Sequence, residues 1–235
     1  MTKRALLRFI LLIGALAAVA GLSASEMDDS GHTTASDTAW VYLFNGRDLE
    51  GWTNPMGGKV GPQWQVIDAE LVLVEGGGGD IVTVETFENF ELKLEWRISE
   101  GGNSGIFFRV VMDGNDVWMS GPEYQILDDF SFPALMGSRR TTGAVFDLHT
   151  PQAHPLRPLN QFNETTIRVE GGHVRFWLNG EQIADFEIGS QDWKQRVAAS
   201  KFSSYEQFGV NTSGHIALQD HGNPVWFKNI RVRGL

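Results

Sequence analysis

The sequence predicts an all-β protein built from two packed antiparallel sheets, a sandwich or jelly roll. Residues 90–98 alternate apolar and charged side chains over nine positions, the pattern of a strand with one buried face. Asn179-Gly180 separates two apolar runs and is a strong signal for a two-residue hairpin turn. Many short runs of this kind, without a long helix after the N-terminal segment, predict two antiparallel sheets in one domain.

The chain begins with the pattern of an export signal. Lys3, Arg4 and Arg8 precede an apolar run over residues 9–22 that is too short and too rich in small residues for a comfortable membrane span. We therefore expect a signal peptide over residues 1–25, a flexible acidic linker over 26–39 and a β-sandwich domain over 40–235. A retained N-terminal anchor is the alternative.

The chain has no cysteine, which limits how the domain can be anchored to a membrane and how it can be stabilised. The chain cannot carry a lipoprotein anchor on an N-terminal cysteine, and no disulfide can form, so the core alone must stabilise an exported domain. The expected location is the periplasm or the extracellular space.

The remaining elements follow in chain order. Besides the strand at residues 90–98, strands are expected at residues 64–74, 106–112, 124–127, 143–148, 164–170, 173–178, 182–188, 215–219 and 225–232. Residues 76–79 are all glycine and predict a flexible loop, and Gly171-Gly172 predicts a tight turn. A turn is expected around residues 191–199.

The charge of the chain argues against a nucleic-acid partner. The sequence has 19 basic and 29 acidic residues, a net charge of −10. Removal of the signal peptide leaves 16 basic residues against 29 acidic ones, and no stripe of lysine and arginine remains. We expect no stable membrane insertion after that removal, and the sequence leaves the oligomeric state open.

The segment at residues 214–222, with the sequence GHIALQDHG, reads as a short strand that ends in a polar turn. The end of that strand carries an amide, a carboxylate and an imidazole, from Gln219, Asp220 and His221. Side chains of these types could transfer protons or bind a polar ligand. Ordinary turn chemistry is the alternative explanation.

A second group of charged residues flanks the glycine-rich turn at residues 101–105. Glu95 and Arg97 precede this turn and Arg109 follows it, so the three side chains could line a concave sheet face. Arginine suits oxygen-rich ligands because its planar fork donates several directed hydrogen bonds. A structural network of ion pairs is the alternative.

Other candidate ligand-binding residues come from three further segments. Glu123 and Gln125 are two positions apart on an expected strand and would project from the same sheet face. Lys201 would contribute to ligand binding only if its side chain reaches the same cleft. Trp118 lies beside a loop, where its flat ring could pack against a sugar.

The sequence leaves the metal content open. Asp113 and Asp116 lie near Asp128 and Asp129 in the chain, and a calcium site there is an expectation without a complete ligand loop. Several other chemistries lack their motifs: there is no nucleophile elbow, no zinc-binding His-Glu-x-x-His and no phosphate loop. The paired-carboxylate strand of many jelly-roll glucanases is also absent.

Taken together, the segments resemble the 3-keto-disaccharide hydrolase family, over about residues 40–235 and in the same order. The segments that carry the resemblance are LFNGRDLEGW (43–52), FELKLEWR (90–97), GNSGIFFR (102–109), GPEYQILD (121–128), SKF (200–202), residues 214–222 and WFKNI (226–230). One departure is Phe146, where the family more often has tyrosine.

The resemblance implies a concanavalin A-like jelly roll, export, and action on glycosides already oxidised at C3. A ketone at C3 acidifies the proton on C2, so a base can remove it if the enolate oxygen is stabilised. The glycosidic oxygen then leaves by elimination, and addition of water gives net hydrolysis. This chemistry requires one base, one cation or metal, and one acid.

Candidates for these roles come from the segments above. His221 or Glu123 would be the base, and Glu95 would be the acid or would orient an arginine. The cation at the enolate would be one of three side chains: Arg97, Arg109 or Lys201. The sugar would be bound by Asn103, Trp118, Gln125 and Gln219. A divalent metal, calcium or another, held by His221 and a carboxylate, could replace the cationic side chains.

Two other functions remain open from the sequence. A non-catalytic, lectin-like carbohydrate-binding domain is the main alternative, because a fold does not fix a function. A charged cluster within one cleft would favour the enzyme, and aromatic platforms with few ionisable groups would favour the binding domain. A structural envelope protein would have no polar cleft.

Overall fold

The computed structural model describes residues 39–235, and over this range the chain folds almost entirely into strands. The expected signal peptide and nearly all of the expected linker lie outside the described residues. The strands are β1 (Val41–Tyr42), β2 (Trp52–Thr53), β3 (Trp64–Ile67), β4 (Glu70–Leu73), β5 (Ile81–Thr83), β6 (Phe90–Ile98), β7 (Asn103–Val110), β8 (Glu123–Leu127), β9 (Asn163–Glu170), β10 (His173–Leu178), β11 (Glu181–Glu187), β12 (His215–Leu218) and β13 (Val225–Gly234).

The strands form two antiparallel sheets, which confirms the predicted class. The larger sheet has eight strands in the order β11-β10-β9-β6-β13-β4-β3, with β1 also paired to β13. The smaller sheet has five strands in the order β2-β5-β12-β7-β8. The helical elements of the described range are α1 (Gln191–Ala198) and 3₁₀-helices at Val117–Met119, Pro133–Leu135 and Lys201–Ser204.

The clearest sequence patterns fold as predicted. Strand β6 spans the expected nine residues, and its apolar positions are buried while Lys93, Glu95 and Arg97 are partly exposed. Strands β10 and β11 are joined by the expected hairpin. Its two turn residues, Asn179 and Gly180, have φ angles of 49° and 86°, which the favoured two-residue hairpin turn requires.

Two expected strands differ in the structure. Residues 64–74 form two strands, β3 and β4, because Asp68 and Ala69 have φ angles of 52° and 60° and reverse the chain. Residues 143–148 form turns instead of a strand. They lie along the outer edge of β8, where the amides of Gly143 and Phe146 donate to the carbonyls of Gln125 and Glu123.

The expected turn near residues 191–199 is a two-turn helix. Ser190 caps its N-terminus, since the Ser190 hydroxyl accepts a hydrogen bond from the amide of Trp193 at 3.1 Å. Arg196 pairs with Asp192 at 2.7 Å, four residues earlier on the same face. Among the described residues, no helix is long and apolar enough to span a membrane.

Apolar side chains are buried on both faces of the five-stranded sheet. The main core lies between the two sheets, and Phe108, Tyr124 and Ile126 contribute to it from the smaller one. A second, smaller apolar cluster consists of Val82, Phe107, Val110, Val117 and Ala217. Because side chains alternate along strands, this cluster lies on the outer face of the five-stranded sheet.

Candidate active site

Strand alternation brings two of the expected side chains together on the outer face of the five-stranded sheet. In β8, Tyr124 and Ile126 point into the main core, so Glu123 and Gln125 point outwards. The register pairs Glu123 with Phe107 and Gln125 with Gly105 on β7. The two polar side chains therefore lie beside the smaller apolar cluster.

The carboxyl group of Glu123 lies over Gly105. A Cβ atom at Gly105 would be 2.4 Å from Glu123 Oε1, a distance that real side chains do not tolerate. The position therefore requires glycine, because only a residue without a side chain leaves room for this carboxyl group.

Burial sets the protonation of Glu123. Its side chain is only 4% exposed, and desolvation raises its pKa to about 8. The positive charge of Lys201 opposes this shift, and the negative charge of Asp80 adds to it. A carboxyl group in this state can hold a proton near neutral pH and is a strong base once it loses that proton.

Lys201 belongs to the 3₁₀-helix Lys201–Ser204, and its ammonium group faces Glu123. Its backbone amide donates to Asp147 Oδ2 at 3.2 Å, which fixes the start of this helix. Its Nζ lies 4.7 Å from the ring centre of Trp118 and 4.5 Å from that of Phe146. Desolvation lowers the pKa of Lys201 even though the residue is exposed, while Glu123 and Asp147 raise it. The structure thus brings Lys201, Trp118 and Glu123 together.

Asp80 is a member of this group that the sequence analysis missed. Burial, opposed by a hydrogen bond from the amide of Asp220 and reinforced by the charges of Asp220 and Asp116, raises the pKa of Asp80 to about 6. That amide donates to Asp80 Oδ1 at 2.9 Å. The sequence feature that could have identified Asp80 is its position as a single carboxylate between four glycines and the apolar start of β5.

Asp220 holds the glycine-rich loop in place. Its Oδ2 accepts hydrogen bonds from the amides of Gly77 and Gly79, both at 2.9 Å, and its Oδ1 accepts one from Gly222. The expected flexible loop is therefore tied to the end of β12. Asp220 serves the loop, and its neighbour Asp80 contributes the carboxyl group with the raised pKa.

Amide side chains supply hydrogen-bonding groups beside the carboxyl groups. Gln125 Nε2 donates to Asn103 Oδ1 at 2.9 Å, which orients both amides. The Oε1 atoms of Gln125 and Gln219 are buried and have no donor among the residues that the structure describes. Buried acceptors without partners carry a free-energy cost, so a ligand with hydroxyl groups would satisfy them.

His221, an expected base, directly follows Asp220 at the end of β12. Its side chain is exposed in the turn after β12. Its neighbours Asp220 and Gly222 bond to each other, as ordinary turn residues do. Within residues 39–235, no hydrogen bond or ion pair of the His221 side chain is found.

Glu95 and Arg97 also lie elsewhere, and the expectation that they share a cleft with Arg109 is wrong. Both are on the outer face of the eight-stranded sheet, across the main core from Glu123. Glu95 accepts a hydrogen bond from Asn229 and pairs with Lys228 at 3.5 Å. The alternative of a structural ion-pair network therefore describes them better.

Arg97 is held by three contacts on that face. It pairs with Glu70 at 3.0 Å and lies over the rings of Trp226 and Phe162. Arg109 is on the five-stranded sheet, but an irregularity in β7 turns it away from Glu123. Its one hydrogen bond goes to the carbonyl of Gly171.

The expected calcium ligands serve their own loops. Asp128 accepts hydrogen bonds from Gly101, Phe130 and Ser131, and Asp129 accepts them from Thr141 and Thr142. Asp113 accepts two from Asn115. Among residues 39–235, no three histidine or acidic side chains are grouped so that they could hold a metal ion.

The comparisons with known proteins agree with this architecture. A family model described as the 3-keto-alpha-glucoside-1,2-lyase-like domain matches residues 39–233. A protein of Bacteroides thetaiotaomicron named 3-keto-disaccharide hydrolase is 33% identical over 245 residues, which cover 91% of this chain and 84% of that protein.

Solved structures support the same fold. A candidate glycosyl hydrolase from Parabacteroides distasonis has a TM-score of 0.75 and 33% identity, covering 83% of this chain and 94% of that one. A Bacillus subtilis protein of unknown function with a galectin-like fold has a TM-score of 0.53 at 16% identity, covering 83% and 94%. The latter supports the jelly-roll fold alone.

The buried carboxyl group of Glu123 predicts a specific dependence of stability on pH. Between the ordinary pKa of 4.5 and the raised value of about 8, the unfolded state loses a proton that the folded state keeps. The free energy of unfolding therefore falls as the pH rises through this window. Glu123→Gln has no such proton, so its free energy of unfolding lacks this decrease. The free energy of unfolding of Glu123→Gln minus that of wild type should therefore rise by about a few kcal/mol between pH 4 and pH 8.

Urea unfolding of both proteins at several pH values measures this difference. Glu50→Gln, at an exposed position, is the matched control and should follow wild type at every pH. If the stability difference between Glu123→Gln and wild type did not change with pH, the carboxyl group would not be held protonated.

Proposed function

This chain belongs to the 3-keto-alpha-glucoside-1,2-lyase-like family, and from that premise we propose that it cleaves 3-keto-glycosides, including 3-keto-disaccharides. The name of the Bacteroides relative supports this substrate class. The reaction would take place on the outer face of the five-stranded sheet, at the group formed by Lys201, Glu123 and Asp80.

The observation that carries this proposal is the buried carboxyl group of Glu123 over Gly105, with a cation and a second carboxyl group acting on it. Glu123 interacts electrostatically with both Lys201 and Asp80. The charges that act on Lys201 are those of Glu123, Asp147 and Arg140, and those that act on Asp80 are Asp220 and Asp116. The buried Glu123 therefore interacts electrostatically with both a cation and a second carboxyl group.

These three groups can supply the base, the cation and the acid that cleavage of a 3-keto-glycoside requires. Glu123, as the carboxylate, removes the proton from C2. The ammonium group of Lys201 stabilises the negative charge that develops on the ketone oxygen at C3. Asp80, as the carboxylic acid, gives its proton to the glycosidic oxygen as the bond to C1 breaks.

Addition of water completes the reaction. Elimination leaves a C1–C2 double bond conjugated with the ketone and releases the alcohol. Water then adds at C1, with Asp80 accepting one of its protons, and the proton held by Glu123 returns to C2. The net change is hydrolysis, and both carboxyl groups recover their starting states.

The surrounding side chains suit a sugar ligand. Gln125 and Gln219 present buried acceptor oxygens to hydroxyl groups, and Asn103 orients Gln125. Trp118 and Phe146 offer aromatic rings around the Lys201 ammonium group. Because Phe146 lacks a phenolic hydroxyl, its ring would contribute packing to sugar recognition and no hydrogen bond.

A carbohydrate-binding domain on the same fold is less consistent with this group. Within residues 39–235 the carboxyl group of Glu123 has no hydrogen-bond partner, and burial of such a group costs stability. A domain that only binds neutral sugars gains nothing from two carboxyl groups with raised pKa values beside an ammonium group. An enzyme uses each of them.

We also propose that the protein is exported, on the basis of the charged and apolar pattern of residues 1–25. Expression of the full chain in a Gram-negative host should give a soluble periplasmic protein whose N-terminus lies near residues 21–26. An intact N-terminus on protein in the membrane fraction would instead support a retained anchor.

Substitutions at the three central residues test the proposed reaction. On 3-keto-trehalose, Glu123→Gln should lower kcat by about 10²–10⁴-fold, because proton abstraction fails. Lys201→Met should lower it by about 10²–10³-fold. Glu95→Gln, on the other sheet, is the matched control and should stay within about twofold of wild type.

Product analysis with and without EDTA completes this test. Release of 3-keto-glucose or its unsaturated product, unaffected by EDTA, would support the residue-based mechanism. Loss of activity in EDTA and recovery with calcium would assign the enolate to a metal ion. Binding of sugars without any product would support the lectin-like alternative.

The dependence of kcat/KM on pH should be bell-shaped, with limbs near pH 6 and pH 8. The active form requires a protonated Asp80, with a pKa of about 6, and an ionised Glu123, with a pKa of about 8. Asp80→Asn removes the acid and also a charge that raises the pKa of Glu123, so its remaining activity should rise with pH and level off by about pH 8. If its activity instead fell above pH 8, Glu123 would be the acid and Asp80 the base.

A further inference from the structure

A cavity of about 700 Å³ lies away from the outer face of the five-stranded sheet. It is bounded by α1, by residues 202–212 and by the Gly171-Gly172 turn between β9 and β10. Its volume is within the range of small-molecule sites, about 300–1,000 Å³. The proposed reaction uses none of its lining residues.

Arg109 reaches this cavity because the backbone of β7 is irregular. Its φ angle is 57°, an uncommon value for a residue with a side chain, and the register between β7 and β12 shifts next to it. Gly214 packs directly against this point, since a Cβ atom there would be 2.4 Å from the carbonyl carbon of Arg109. Strain of this kind persists where the surrounding structure enforces it, often at functional sites.

The guanidinium group of Arg109 is buried without a counter-ion. The residue is 3% exposed, and its Nη2 donates to the carbonyl of Gly171. Within residues 39–235 it has no carboxylate at ion-pair distance, and its Nε has no acceptor. Burial lowers its pKa, against the more distant charges of Glu88 and Glu187. A buried charge left in this state is strongly unfavourable unless another group compensates it.

A second buried donor lines the same cavity. Asn211 Nδ2 is buried and has no acceptor among the described residues. Both unsatisfied atoms are donors, so the group that would satisfy them must supply acceptor oxygens. A carboxylate supplies two oxygens and a negative charge, which suits a guanidinium group best.

The rest of the cavity restricts that ligand further. Trp193, Val197, Tyr205 and Phe208 line it with apolar and aromatic surface. Its polar rim carries three exposed acidic residues and one lysine: Glu88, Glu187, Glu206 and Lys194. The rim therefore disfavours a multiply charged anion, and the apolar lining favours a ring or hydrocarbon body.

We propose that this cavity is a second ligand site, which binds a small monocarboxylate with an apolar body, its carboxylate on Arg109 and Asn211. The proposal does not depend on the reaction proposed above, because binding in the cavity is measured without turnover.

Isothermal titration of the mature protein with 2-naphthoate tests this site, with the uncharged 2-naphthylmethanol as the matched probe. We expect saturable binding of 2-naphthoate with one site per chain, and binding of the alcohol at least about tenfold weaker. Equal affinity for the two probes, or no saturable binding of 2-naphthoate at millimolar concentration, would overturn the proposal.

Two variants locate the binding. Arg109→Gln should weaken the binding of 2-naphthoate by about tenfold or more and leave that of the alcohol unchanged. Val197→Trp, on the partly exposed face of α1, should block both probes by filling the cavity while Arg109 stays in place. Because Val197→Trp keeps Arg109, this variant still tests the site if Arg109→Gln fails to fold. Unchanged binding of 2-naphthoate to Val197→Trp would place the probe elsewhere and contradict the proposal.

Discussion

The desolvation of one carboxyl group, that of Glu123, is the constraint on which the proposed active site depends. It requires glycine at position 105, because any side chain there would displace the carboxyl group. It also requires apolar side chains on the outer face of a sheet, where Phe107 and Ala217 are fully buried. A sandwich that needed only its internal core would leave this face to water. We therefore assign the small outer cluster to the proposed site, since it supplies the apolar surroundings of Glu123.

This arrangement exchanges stability for reactivity. A carboxyl group with a raised pKa is a stronger base than an exposed one, and the nearby Lys201 keeps the shift from becoming larger. Lys201 is in turn oriented by Asp147 through its backbone amide and surrounded by aromatic rings. Lys201 and Glu123 thus modify each other's protonation, so the proposed site would act as a unit instead of as independent residues.

The sequence alone predicted the parts of this structure that depend on local patterns. Alternation identified β6, and it correctly set Glu123 and Gln125 on one face. It could not show which sheet carries a strand, so Glu95 was grouped with residues that lie across the core. Asp80 was missed because its role depends on β5 pairing with β12, over 130 residues away in the chain. No local signal predicts a contact at that separation.

The two proposed sites share one wall, which determines how variants can be interpreted. Lys201 faces Glu123, whereas Phe202 and Tyr205, from the same segment, line the cavity beside Arg109. The ring of Tyr205 also packs edge-to-face on Trp118, with centres 5.0 Å apart. A substitution at Tyr205 would therefore disturb both sites and could be assigned to neither. Arg109 lines the cavity and Glu123 does not, so they are the residues at which the two sites can be separated.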